Sequence, residues 1–242
     1  MDFRLSSLFH QASKRLPKVP LDPDRWPPEW KTTQFKAYER LPKIPLSRAE
    51  LVAGRDYFDV VRARRSIRDF DDGKPLNNEL LSTLLRYSCG LLEQEHGRSR
   101  RSHPSGGGLV PIEIYPLVFS GNATIPAGVY HYNIREHALD VLWHRSFGKD
   151  DVRNLFAYPW VEHASFAIVL TAVFERSQIK YGERGYRFIL LEAGHIAENF
   201  CLSAETLGIK CCPMGGTRDE HIEKLLDIDG ITESIVYALV LG

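Results

Sequence analysis

The chain has 242 residues, 43% of them hydrophobic and 26% charged, a balance that argues against a disordered chain and suits one sizeable domain or a homodimerising subunit. Lysine plus arginine and aspartate plus glutamate both number 31, so no global field favours nucleic acid or an anionic membrane. The four cysteines, Cys89, Cys201, Cys211 and Cys212, show no CxxC spacing, and two are adjacent, which predicts reduced thiols. No stretch approaches the ~18 consecutive apolar residues of a membrane span, and residues 1–15 lack the apolar core of a secretion signal. A soluble, cytoplasmic protein is expected.

In chain order, seven of the 14 prolines fall within the first 46 residues, which removes backbone donors and predicts an extended arm over roughly 15–50. The arm also carries Trp26, Trp30, Phe35 and Tyr38, so it is expected to wrap over its own domain or a partner subunit. "YFDVVRARRS" (57–66) reads as a short helix. "LNNELLSTLLRYSCG" (76–90) reads as another, with Asn78 as N-cap and Gly90 as its stop. Residues 93–111 are charged, then glycine-rich, without periodicity, and predict a long functional loop. Strands are expected at 112–120 and in a hairpin of "GVYHYN" and "ALDVLW" around "IREH". A helix is expected over 149–164, a central strand buried on both faces at 165–174, and a solvated connection around 180–187. In 187–209 the apolar residues fall at helical steps, with Gly208 closing the helix, and "SIVYALVLG" (234–242) reads as a last buried strand. The fold class is therefore α+β: a mixed central sheet with helices on its faces, and no internal repeat.

Three stretches carry candidate chemistry. "RARRSIRDF" (62–70) places four arginines and a serine within seven residues, and guanidinium forks with a hydroxyl suit a phosphate. "HPSGGGLVP" (103–111) lets backbone approach a flat ligand, although it is neither a Walker loop nor GxGxxG after a strand. "CCPMGGTRDEHIEKLL" (211–226) describes a tight bend before a helix, able to aim N–H groups at an acceptor. The nine histidines show no metal-ligand spacing and HExxH is absent, so no metal is expected. There is no GxSxG elbow.

Taken together with "KYGERGYR" (180–187), these stretches resemble the FMN-dependent nitroreductase superfamily, and more narrowly its SagB-type branch of azoline oxidases. The resemblance covers about 55–242, with 1–54 as an N-terminal extension like that branch's own. It implies a nitroreductase-like sandwich that dimerises with FMN at the subunit interface. It implies that Arg64, Arg65 and Ser66 hold the FMN phosphate and ribityl chain and that Arg68 lies near the pyrimidine edge. It further implies that Pro104, Ser105, Gly106 and Gly107 form a loop reaching the flavin, often from the other subunit. Gly215 and Gly216 match a bend whose N–H meets the hydride-accepting nitrogen. Lys180 and Tyr181 match a pair with a catalytic role, and Val110 stands where the branch often has tyrosine.

The implied activity is removal of a proton and a hydride from a heterocycle or peptide-derived substrate, azoline to azole. A cyclodehydratase or carrier-protein partner is compatible with it. The alternatives are a nicotinamide-dependent nitro or quinone reductase and a non-catalytic flavin-binding subunit. Free tyrosine titrates near ~10 and lysine near ~10.4, so a base working near neutrality needs its pKa lowered by about 2–3 units. Neighbouring residues on a helix or strand do not face each other, so a turn is needed to bring Lys180 and Tyr181 together.

Overall fold

A computed structural model of the chain describes residues 4–15, 17–20, 22–48, 54–71, 75, 77–95 and 98–242. The start of the expected 76–90 helix and the residues just before the expected boundary at 54 lie outside these. The helices are α1 (Arg4–Ala12), α2 (Tyr57–Ala63), α3 (Asn78–Cys89), α4 (Lys149–Arg153), α5 (Glu175–Tyr181), α6 (Glu183–Leu207) and α7 (Asp219–Leu226). The strands are β1 (Lys43–Pro45), β2 (Leu91–Glu95), β3 (Arg98–Arg101), β4 (Ile112–Val118), β5 (Gly128–Asn133), β6 (Ala138–His144), β7 (Phe166–Val173), β8 (Cys211–Met214) and β9 (Glu233–Leu241).

The main sheet runs β1-β6-β5-β4-β7-β9-β8, and a separate hairpin pairs β2 with β3. Every ladder is antiparallel, which corrects the expected mixed sheet. The reason is connectivity. Strands β4, β5 and β6 are joined by short returns, which only antiparallel neighbours permit. Strands β7 and β8 run the same way and are linked through α5 and α6, but β9 takes the place between them.

Alternation along β7 builds the core on both sides of the sheet. Phe166, Ile168, Leu170 and Ala172 face one cluster with α3 and α6, whereas Ala167 and Val169 face the other with Phe156, Val161 and Ile222. This is the doubly buried strand expected at 165–174. Helix α6 buries Ile189, Ala193, Ile196, Ala197, Phe200 and Ala204, and Gly208 caps it in the left-handed region at φ 68°.

Several local expectations are corrected. The N-cap of α3 is Asn77, whose side chain accepts from the Glu79 N–H. The predicted 149–164 helix is α4 followed by a separate 3₁₀ turn at Pro159–His163, because Pro159 has no N–H to continue the ladder. The 93–111 loop begins inside the β2–β3 hairpin. Residues 211–214 form an edge strand ahead of the bend. The arm is not wholly extended: it holds two 3₁₀ turns and β1, which joins the sheet beside β6, and α1 precedes it. Among the described residues no helix is long and apolar enough to cross a membrane.

Candidate active site

Lys180 and Tyr181 lie on the last turn of α5, not in a solvated loop. The chain breaks there at Gly182, whose φ of 53° and ψ of −142° suit only glycine, and α6 starts at once. Side chains 100° apart on a helix would diverge, yet these two converge on Gly107. A Cβ built on Gly107 would stand 2.5 Å from Tyr181 Oη and 3.4 Å from Lys180 Nζ. Gly107 has φ 67°, so the missing side chain serves both the turn and the close approach. Gly106 rests against Phe188, whose ring meets Tyr181 edge-on at 4.9 Å. The solvated reading of 180–187 thus gives way to a packed one for its first two residues.

Lys180 is 3% exposed, and its Nζ has no hydrogen-bond partner among the described residues. The Trp26 ring centroid lies 3.4 Å from Nζ, with the rings of Trp30 and Tyr181 further out at 5.9 and 5.3 Å. Burial without an anion lowers the Lys180 pKa, and burial raises that of Tyr181. Both shifts favour the uncharged form of the side chain concerned.

Beside this pair opens a cleft of about 760 Å³, walled by Trp26, Trp30 and Phe35 of the arm and by Arg101, Ser105 and Gly107. Behind its loop wall lies a buried polar network. Arg176 Nη1, one turn before Lys180, donates to Glu113 Oε1 at 2.6 Å and to the Val110 carbonyl at 3.2 Å. His131 sits between Glu113 (2.9 Å) and Asp140 (3.1 Å). Burial opposes charge on both His131 and Glu113. Their hydrogen bonds prevail, raising the imidazole and holding the Glu113 carboxyl down at about 2. The arm is fastened to the same region: Lys36 Nζ donates to Glu233 and to Tyr115 Oη, both at 2.6 Å, and the Tyr38 N–H donates to Asp140.

The remaining sequence-predicted residues lie elsewhere. The segment after α2 runs along the free edge of β8, tied by the Ile67 N–H to the Cys211 carbonyl. Arg68 reaches the Cys212 thiol, and Arg65 turns back on the carbonyls of Arg62 and Arg64. Among the described residues none of Arg64, Arg65 and Arg68 is neutralised by a carboxylate, and Ser66 is exposed. Gly215 and Gly216 follow β8, and their N–H groups find no backbone carbonyl among the described residues. A side chain at Gly216 would strike the Tyr158 ring at 2.7 Å, so packing alone accounts for that glycine.

Uncompensated guanidiniums, a free hydroxyl and open N–H groups fit the phosphate and ring edge of the FMN that the resemblance implies. However, Cys211 is level with Leu241 and Phe166, whereas the glycine loop and α5 lie beyond Ala172 at the other end of β7. Those six residue steps along β7 correspond to about 20 Å. One chain gathers Pro104, Ser105, Gly106, Gly107, Lys180 and Tyr181 beyond the Ala172 end of β7, and Arg64, Arg65, Ser66 and Arg68 beside the Cys211 end of β8. Gly215 and Gly216 follow Met214, which is level with Ala238 and Val169, and so lie between those two ends.

Sequence reasoning missed the network residues Glu113, His131 and Arg176. It marked Trp26 and Trp30 only as aromatics in an arm, and nothing local in the sequence joins residue 26 to residue 180.

An antiparallel sheet with helices on both faces, a long α6 among them, with a basic edge segment and a glycine loop, defines a class of α+β sandwich. The Nitroreductase family model matches residues 61–242, and the chain belongs to that family. It is 34% identical over 182 residues to the trifolitoxin-processing protein TfxB of Rhizobium leguminosarum bv. trifolii, covering 69% of this chain and 48% of that protein. It is 32% identical over 143 residues to the microcin B17-processing protein McbC of Escherichia coli, covering 55% and 50%. The chain thus spans about half the length of these curated relatives. The fold also matches a chain of the E. coli microcin synthetase McbBCD complex with truncated pro-MccB17 bound. That match has a TM-score of 0.64 at 23% identity, over 98% of this chain and 91% of that one.

Proposed function

We propose that the chain is an FMN-dependent dehydrogenase of the SagB type, acting on a heterocycle in a peptide-derived substrate and turning an azoline into an azole. The observation that carries this reading is the sealed, unpartnered Lys180 amine beside the Tyr181 hydroxyl at the glycine loop. A lysine whose pKa is lowered by burial is a competent base, and Trp26, Trp30 and Gly107, which enclose it, also line the cleft. Lys180 takes the proton from a ring carbon, and Tyr181, holding its own proton, orients the ring through a hydrogen bond. FMN, when bound, supplies the acceptor for the second hydrogen, which leaves with its electron pair, and dioxygen then takes those two electrons. Relatives named for trifolitoxin and microcin B17 processing support a peptide substrate, delivered by a cyclodehydratase or carrier-protein partner.

The distance between the arginine segment beside Cys211 and the glycine loop beyond Ala172 supports a homodimer in which each flavin lies between the arginine segment of one copy and the glycine loop of the other. Exposed apolar residues support the same assembly: Tyr57, Phe58 and Val61 on α2, and Leu190 and Leu191 on α6.

The test is anaerobic spectroscopy of the purified, yellow protein. Bleaching of the flavin by a thiazoline-bearing peptide, with no bleaching by NADPH, is the expected result. Rapid bleaching by NADPH alone would assign the chain to nitro or quinone reduction. Bound flavin that no peptide or nicotinamide reduces would make it a binding subunit.

A further inference from the structure

Lys180 cannot meet a substrate in the arrangement described. Its walls are the Gly107 backbone, the Tyr181 ring and the indoles of Trp26 and Trp30. Tyr181 belongs to the body of the fold and packs on Phe188 of α6, as does Gly106, the neighbour of Gly107. The indoles belong to residues 22–32, which are held differently. Among the described residues, the hydrogen bonds of this stretch stay within it or reach back to Pro20. The Trp26 Nε1–H donates to the Pro20 carbonyl, Lys31 Nζ to the Asp24 carbonyl, and the Thr32 hydroxyl to the Pro28 carbonyl. The short 3₁₀ turns close in the same way. Both flanks, by contrast, are tied to the body. Arg184 and Arg187 hold the carbonyls of Ser13 and His10 on one side. Thr33 bonds the Gly108 carbonyl, and Lys36 bonds Glu233, on the other. Among the described residues, the stretch between them meets Lys180 through the faces of Trp26 and Trp30.

We propose that Trp26 is the specificity-determining residue of this site: its indole covers Lys180 at the position that a planar ring of the substrate must take, and only a flat ring replaces it. The proposal rests on the reading of Lys180 as the base. While Lys180 is protonated, a ring face at 3.4 Å from Nζ is held by cation–π attraction, and the flat slot that ring fills accepts a near-planar azoline or azole but not a puckered saturated ring. Residues 22–32 then act as a cover that exchanges one ring for another while both flanks stay anchored.

The test is limited acetylation of the flavin-loaded full chain with acetic anhydride, read at Lys180 by peptide mass spectrometry. Lys36, paired to Glu233, reports on the fold. In Trp26→Ala, Lys180 should label at least about tenfold faster than in wild type, because it no longer waits for local opening. In Trp26→Phe it should stay near wild type, and Lys36 should be unchanged in both. Equal Lys180 labelling in wild type and Trp26→Ala, with Lys36 unchanged, overturns the proposal.

Should Trp26→Ala lose its fold, seen as faster Lys36 labelling, wild type decides alone. 2-Phenylthiazole-4-carboxamide should slow Lys180 labelling and change tryptophan emission, and the emission change should be absent in Trp26→Phe. The corresponding thiazolidine should do neither. Equal protection by both compounds, or none by either, overturns the proposal. Labelling needs no turnover, so it can succeed where flavin bleaching fails, or the reverse, and the two readings fall separately.

Discussion

A lysine sealed from water with no carboxylate beside it destabilises the chain that contains it. Leaving a buried polar group unsatisfied costs roughly 1–3 kcal/mol. The Trp26 face recovers about 0.5–2 kcal/mol of that, so the balance is unfavourable or near zero, and it is tolerated at a site. Lys180→Met is therefore expected to melt no lower than wild type, and up to a few degrees higher, while turnover falls by about 10²–10⁴. Thermal melts beside peptide-dependent flavin bleaching check both halves. The sign with pH follows from the lowered folded pKa. The cost is complete below that pKa and fades as pH rises from it towards the ordinary 10.5, so the stability gap between variant and wild type narrows in alkali. In wild type, kcat/KM should climb with pH to a limb set by Lys180 below 10.5; a profile flat across that range would remove Lys180 as the base. Gly107→Ala is expected to destabilise by about 1–3 kcal/mol through its left-handed φ, and to push the Tyr181 hydroxyl away. Urea titration reads the first effect. Loss of turnover with flavin still bound reads the second.

At the level of elements, the network joining β4, β5, β6 and α5 fixes where α5 ends. Arg176 holds both Glu113 and the Val110 carbonyl, and Val110 adopts φ 47°, an unusual conformation for a β-branched residue. Glu113→Gln leaves the His131 and Arg176 charges facing each other and is expected to cost about 3–5 kcal/mol. Glu113 is depressed, so its contribution is present above its ordinary 4.5 and is lost as pH falls towards about 2. His131 is raised, so its contribution is complete below its ordinary 6.5 and is lost as pH rises through its folded value. The stability difference between wild type and Glu113→Gln should thus be greatest between those two ordinary values; a difference flat from acid to alkali would count against the network.

None of this was legible from one residue's neighbours. Periodicity found β7, α6 and the β5–β6 hairpin because each buries a regular stripe against one partner. It missed β8, four residues bent by a following glycine pair, and it missed α5. Only seven residues long, α5 buries Arg176, Ser177 and Lys180, polar groups that mimic a loop in composition. The Lys-Tyr pair stood out because its polarity interrupts two apolar elements. The direction of its side chains did not, since Gly107, which receives them, lies more than seventy residues away.

At the scale of the whole molecule, a single chain carries its arginine segment and its glycine loop at opposite ends of the sheet, and the proposed cofactor site needs both. If two copies complete the site, Leu191→Glu on the exposed face of α6 should weaken the dimer and release flavin together. Sedimentation and the ratio of flavin to protein absorbance would follow in step. A flavin-saturated monomer would mean that one chain closes the site on its own.

The position of β9 has a consequence for how the protein is made. The strand is synthesised after β8 yet pairs on both sides, with β7 and with β8. Until it leaves the ribosome, β8 has no ladder to join, and the arginine segment hydrogen-bonded to Cys211 has nothing fixed to lie against. A nascent chain can therefore assemble the lysine end of the molecule early, while the arginine segment and β8 wait for the last strand to thread into the sheet between β7 and β8.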